Sequence, residues 1–165
     1  MKLPQVDNTI AICEKHLASA NCKGSQIDLF LASYLAVNIH SAFEQEIERM
    51  IEARANHVGD PVLRQFMVSC TDAIFRSTKI SEIGGLLNRF GTEYKTLFQA
   101  EMKKDTRASN SWDSFVSHRH GIAHDSGSQV FIHEIVEYYN HGHIVLDAFK
   151  IAIEATKVIQ VPATT

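Results

Sequence analysis

The sequence contains few of the residues that interrupt helices. Its 165 residues include only 3 prolines and 8 glycines. Proline lacks a backbone donor and glycine costs conformational entropy, so their scarcity favours long helices. Apolar residues recur at helical spacing, and no segment alternates apolar and polar residues for long enough to indicate a sheet. The sequence therefore predicts an all-α bundle that forms one domain over residues 1–165.

An excess of positive charge is also missing. The 16 lysines and arginines face 19 acidic residues, which gives a formal net charge of −3. A protein that binds nucleic acid along a broad electrostatic face needs a basic surface. Any contact with RNA or a nucleotide is therefore expected to be local.

The sequence also lacks paired cysteine motifs and long apolar runs. The number of cysteines is odd, and none of them has C-x-x-C spacing: Cys13, Cys22 and Cys70. This pattern favours reduced thiols. The first residues lead into no apolar run of the signal-peptide type. The most apolar segment, residues 27–39, spans only 13 residues, too few to cross a bilayer. These features predict a cytoplasmic protein with no membrane partner.

One long helix is expected at the centre of about five to seven helices. Ser25 is a suitable N-cap, and apolar residues recur at helical spacing as far as Asn56 or His57. Such a helix would be roughly 48 Å long at about 1.5 Å per residue. A compact domain of this size is about 40 Å across, so the helix would span it. Its first half is apolar nearly all round, which predicts burial on every side.

The other helices are expected to be shorter. The first is predicted over residues 7–20, and residues 102–110 are predicted to form a polar loop. Ser109 or Asn110 is expected to cap the helix that follows this loop. His141-Gly142 is expected to end one helix before the last helix covers residues 143–159.

Histidines are concentrated late in the chain. Six of the nine lie between His118 and His143. His120 and His124 are four positions apart, which places both on one helix face, as in zinc helices. However, no glutamate follows His120, so the H-E-x-x-H pattern is absent, and no third ligand is evident. The sequence therefore predicts neither a metal nor another cofactor.

Arg119 and His124 form a different pair. Five steps of about 100° leave them roughly 140° apart on an ideal helix. They can act together only if the helix ends or bends near Gly121, or if a second copy of the chain contributes. Histidine transfers protons near neutral pH, and arginine offers a permanent charge to phosphate.

The stretch from Arg119 to Asp125 resembles the HEPN superfamily of helical domains, in particular the RiboL-PSP or MAE type. The shared feature is an Arg-x4-His spacing with alanine before the histidine; the usual form is Arg-Asn-x-x-Ala-His-Gly. Phe43-Glu44 is similar to an apolar-Glu pair on the long helix of these proteins. Two positions depart from the usual form, since His120 replaces the asparagine and Asp125 replaces the glycine.

The resemblance implies a metal-independent endoribonuclease whose 2′-OH chemistry takes place at a homodimer interface. Such domains serve as toxins or antiviral effectors, so the implied partners are RNA, a second copy, and an antitoxin or regulatory protein. The residues expected to act fall into three groups: Arg119, His124 and His120 as catalytic; Lys103, Lys104, Arg107 and His118 as substrate-binding; Glu44 and Asp125 as supporting.

Structural alternatives stay open for these residues. Arg119 is equally placed to bridge Asp113 or a neighbouring glutamate, and His124 to interact with the helix dipole. The basic residues 103–107 also fit a solvated loop. At the level of function, the alternatives are a non-catalytic nucleotide-binding or regulatory module and a plain helical interaction protein. The departures at His120 and Asp125 and the net negative charge favour the first of these.

Overall fold

A computed structural model describes residues 1–74, 77–123 and 130–155. This part of the chain is all-helical, which confirms the predicted fold class, and it contains seven helices: α1 Pro4–Ser19, α2 Gln26–Ala55, α3 Pro61–Ile74, α4 Ile80–Phe90, α5 Thr92–Met102, α6 Thr106–Ala123 and α7 Ile132–Glu154. The three cysteines are free. Within the same ranges, no helix has the length and apolar character needed to cross a membrane.

The centre of the bundle is an aromatic cluster where α2, α6 and α7 meet. The rings of Phe43 and Trp112 stack with centroids 4.0 Å apart, and Tyr139 meets Phe43 edge-on at 6.3 Å. The Trp112 indole N–H donates to the carbonyl of Thr78 at 2.7 Å, so its polar atom is satisfied. Trp112 and Phe115 are fully buried. Both are therefore core residues, and neither is available for stacking on a base.

Gly142 lies within α7, which runs unbroken through it. The predicted helix end at His141-Gly142 was therefore wrong, and His141 and His143 lie in mid-helix. A Cβ atom at position 142 would lie 2.5 Å from Cε3 of Trp112 and 2.7 Å from Cζ3. The glycine is needed for the close approach of α6 to α7 and does not mark a break.

The N-terminal caps explain where several helices begin. Ser25 caps α2 as predicted, because its hydroxyl accepts from the backbone N–H of Ile27 at 3.2 Å. The predicted start of α1 was wrong by three residues, since Pro4 occupies the first helical turn, where a missing N–H costs nothing.

The polar loop predicted over residues 102–110 is also much shorter than expected. The carboxylate of Asp105 accepts from the backbone N–H of Ala108 at 2.9 Å, and Ala108 is buried. This hydrogen bond and the burial of Ala108 fix the start of α6 at Thr106, ahead of the predicted caps Ser109 and Asn110.

Asp28 joins the beginnings of α2 and α7. Its carboxylate is 5% exposed and accepts from the backbone N–H of Gly24 at 2.9 Å and of Ile132 at 3.0 Å. Charged acceptors form the stronger class of hydrogen bond. This buried carboxylate therefore fixes α7 against α2 across 104 positions of sequence.

One face of the first half of α2 is exposed, contrary to the prediction that this half is buried all round. Its apolar side chains recur every three or four residues, at 46, 67, 57 and 48% exposure: Ile27, Phe30, Tyr34 and Val37. We call these four residues the α2 stripe. An exposed apolar stripe of this kind is a candidate surface for interaction.

Candidate active site

Arg119 lies in the last turn of α6, beside the middle of α2. It follows the buried Trp112 by seven residues, or two helical turns, so both residues lie on the same side of α6. The Arg119 side chain is half-buried, and its Nε atom is buried without a hydrogen-bond partner among the described residues. Its guanidinium is close enough to Glu44 of α2 to lower the pKa of that carboxyl.

Glu44 is also in contact with His40, one turn earlier in α2. The His40 Nδ1 atom lies 3.3 Å from Oε2 of Glu44, which is ion-pair distance. In the described part of the chain neither ring nitrogen of His40 makes a well-directed hydrogen bond, so we treat the contact as electrostatic. His40 is only 2% exposed. The sequence reasoning missed His40, although the spacing of four residues before Glu44 was a signal for it.

The contact with the His40 ring is the main reason why the pKa of Glu44 lies below its usual range. Partial burial works in the opposite direction, and the charges of His40 and Arg119 lower the pKa further. These effects favour the carboxylate form of Glu44, mainly through His40 and to a smaller extent through the charge of Arg119. Among the described residues no ion pair joins Arg119 to an acid, so the alternative in which Arg119 bridges a neighbouring glutamate stays a prediction.

The Glu44 carboxylate is expected to contribute to the pH dependence of the protein's stability. A carboxyl whose pKa is lowered by folding stabilises the protein above its unfolded pKa of about 4.3, and this contribution is lost as pH falls through the folded pKa. The free energy of unfolding of Glu44→Gln should therefore fall less steeply than that of the wild type below about pH 5. Urea unfolding across this range measures the difference. Gln45→Ala, on the same helix, is the control and should keep the wild-type slope.

The histidines on either side of Arg119 lie on other sides of α6, because each helical step turns about 100°. The His118 ring stacks on Tyr138 of α7, with centroids 5.7 Å apart and planes 26° apart. His120 is half-buried. The structure thus places Arg119 within electrostatic range of Glu44 and His118 against α7.

The predicted basic residues do not form one cluster. Lys104 pairs with Glu101 at 2.6 Å, and Arg107 pairs with Glu137 of α7 at 3.0 Å. Lys103 faces a cavity between α4, α5 and α6.

The other predicted partner of Arg119 was Asp113. The carboxylate of Asp113 instead accepts from the backbone N–H of Ile80 at 3.0 Å and so caps α4. Among the described residues, Glu44 is an acid whose pKa the charge of Arg119 lowers.

Comparison with known proteins decides the family. A model of the RiboL-PSP-HEPN family matches residues 7–155, which include six of the seven helices in full, most of α1 and the Arg-x4-His stretch. The chain belongs to the RiboL-PSP-HEPN family. No curated protein and no solved structure matches it.

Two of the predicted site residues of this HEPN protein, His124 and Asp125, lie outside the described residues. Their assignment as catalytic and supporting residues stays a prediction. Within residues 1–74, 77–123 and 130–155, no group of three histidine, cysteine or acidic side chains is placed to hold a metal ion.

Proposed function

We propose that this HEPN protein is a metal-independent endoribonuclease in which Arg119 and His124 are the catalytic pair. HEPN domains include both ribonucleases and nucleotide-binding modules, so family membership alone does not choose between them. The observation that carries the proposal is the half-buried Arg119, which lies five positions before His124, has a buried Nε atom without a partner among the described residues, and acts electrostatically on Glu44.

The chemistry needs a base for the 2′-OH, an acid for the 5′-oxygen leaving group and a cation for the charge on phosphorus. Histidine suits both proton transfers near neutral pH. Arginine binds phosphate oxygens through a planar, permanently charged fork. One imidazole cannot take and give a proton in the same step. We therefore assign the second role to His124 of another copy or to His120, with Asp125 as a supporting residue.

The second copy has a suitable surface on α2. Glu44 follows Val37 by seven residues, two turns farther along the same face, so the α2 stripe runs directly toward the side of the bundle that holds Glu44 and Arg119. A homodimer formed across the stripe would cover its apolar side chains. It would also bring two copies of the motif to one cleft, which is one way for Arg119 and His124 to act together despite their poor fit on one helix face.

The proposed setting is growth arrest or antiviral defence in the cytoplasm, with a partner antitoxin or regulatory protein that restrains the activity. The bulk charge of −3 leaves RNA contact to local groups. We assign this contact to the predicted substrate-binding residues: Lys103, Lys104, Arg107 and His118.

Expression in a bacterial host tests the proposal. Wild-type protein is expected to arrest growth, whereas Arg119→Ala and His124→Ala are expected to be tolerated. Tyr34→Glu, which places a charge in the α2 stripe, should also be tolerated because it prevents the dimer. All four proteins must accumulate to equal levels as folded protein. Equal toxicity of wild type and His124→Ala would contradict the proposal.

A second candidate is a non-catalytic nucleotide-binding or regulatory module, and the departures at His120 and Asp125 favour it. This candidate predicts that wild type and all three variants are equally harmless. It also predicts that purified wild-type protein leaves RNA intact.

A further inference from the structure

A cavity of about 560 Å³ opens between α4, α5 and α6. We call it the α4–α6 cavity. Its deepest part is apolar, with Phe98 and Met102 buried and Ile80 half-buried. Hydroxyl and amide groups surround the opening, including Ser109 and Asn110. A pocket with an apolar base and a few polar groups around it is typical of a small-ligand site.

Two lysines, Lys95 and Lys103, line this cavity. Neither has an acidic partner within ion-pair distance in the part of the chain that the structure describes. Both side chains are therefore available to an anion.

The acidic residues around the cavity are already engaged. Glu101 pairs with Lys104, and Asp105 accepts from the N–H of Ala108. Asp113 accepts from the N–H of Ile80 at the start of α4, where the helix dipole favours negative charge. The unpaired charges that face the cavity are thus positive, although the whole chain is acidic.

We propose that the α4–α6 cavity holds one nucleotide of the RNA strand, with a phosphate on Lys95 and Lys103 and the base over the apolar interior. The inference rests on the proposed function and extends it by placing an RNA contact away from the catalytic pair. Asp113 at the edge of the cavity precedes His120 by seven residues, or about 10 Å along α6. A strand seated in the cavity therefore continues along α6 toward the Arg-x4-His stretch.

Two adjacent glycines of α4 provide a matched test. A Cβ atom built on Gly84 or on Gly85 meets no heavy atom within 4 Å. Gly84 is buried and lines the cavity, whereas Gly85 is exposed. Leucine at either position gains helix propensity, but only Gly84→Leu fills the cavity.

Binding of a short fluorescent single-stranded RNA is measured by fluorescence anisotropy. All variants carry His124→Ala as well, so that the RNA is not cleaved during the measurement. Gly84→Leu is expected to weaken binding by about tenfold or more, comparable to the loss of one stacked base, and Gly85→Leu to bind as the parent does. Equal binding by the two variants would overturn the inference. Adenosine monophosphate that binds the protein without displacing the RNA would overturn it too.

Substitution of the two lysines provides a second test, which does not depend on whether the Gly84→Leu protein folds. Lys95→Gln with Lys103→Gln should reduce the slope of log affinity against log salt by about 1 to 2. Lys15→Gln with Lys150→Gln removes the same charge from exposed positions elsewhere and should leave the slope unchanged. An identical slope in both double variants would overturn the inference. Cleavage by the wild type is scored separately, so failure of the cavity and failure of the ribonuclease proposal are distinguishable.

Discussion

Replacing His124 by alanine is expected to reduce RNA cleavage by about 10²–10⁴-fold, the usual contribution of a general acid or base. Arg119→Ala is expected to cost about 10²–10³-fold, because the charge that develops on the phosphate loses its preorganised partner. Arg119→Lys should recover only part of this loss, since an ammonium group cannot bind phosphate through two parallel hydrogen bonds. Initial rates on one RNA, at saturating and at limiting substrate, measure these effects.

His133→Ala is the matched control for the His124 variant. His133 is an exposed histidine of α7 that the proposal does not place in the site. Its removal should leave the cleavage rate within about twofold of wild type, because surface substitutions of this kind disturb the fold little. Activity in His124→Ala equal to that of the control would remove His124 from the site.

Gly142→Leu is expected to cause the largest loss of stability. Even a Cβ atom at this position would lie 2.5 Å from the Trp112 ring, and Trp112 is itself stacked on Phe43 at 4.0 Å. α6 and α7 would have to separate, or the tryptophan would have to leave its place in the core. Overpacking of a close-packed interior typically costs about 1–3 kcal/mol and occasionally more, and we expect at least the upper part of this range. Thermal and urea unfolding measure the loss.

Gly85→Leu distinguishes this packing effect from a general effect of leucine in a helix. Gly85 is also helical, but a Cβ atom there meets no heavy atom within 4 Å. The variant should gain up to about 1 kcal/mol from helix propensity. A Gly142→Leu protein as stable as Gly85→Leu would contradict the close approach of α6 and α7.

The parts of the fold that depend on local sequence were predictable. The α2 helix has its cap at Ser25 and a long apolar repeat, and both signals lie within the segment itself. The unbroken course of α7 was not predictable, because Gly142 is indistinguishable from a helix breaker until Trp112, 30 positions earlier, is seen to occupy its space. The early start of α6 was missed because Asp105 was read as part of a loop rather than as its cap.

The candidate site was also predictable only in part. Arg119 stands out in the sequence because its spacing to His124 is a property of one short stretch. The electrostatic interaction between Arg119 and Glu44 links two helices across 75 positions of sequence, and only the resemblance to HEPN proteins suggested a role for Glu44.

The α4–α6 cavity was beyond sequence reasoning for a different reason. Its lysines, hydroxyls and apolar groups come from three helices, and no single segment holds enough of them to form a pattern. In the sequence, Lys103 was predicted to bind RNA only because it belongs to a short basic run. In the structure, Lys104 and Arg107 pair with glutamates, whereas Lys103 faces the cavity. Lys103 and Lys95, which have no acidic partner among the described residues, therefore support the additional RNA contact that we propose at this cavity.

The chemical ends of the cleaved RNA test the central claim most directly. RNA incubated with purified protein in excess EDTA should still be cut, and the fragments should carry 2′,3′-cyclic phosphate and 5′-hydroxyl ends, because the 2′-OH displaces the 5′-oxygen. His124→Ala, prepared in parallel, should leave the same RNA intact, which excludes a contaminating nuclease. Fragments with 3′-hydroxyl and 5′-phosphate ends, or cleavage that EDTA abolishes and Mg²⁺ restores, would contradict the account.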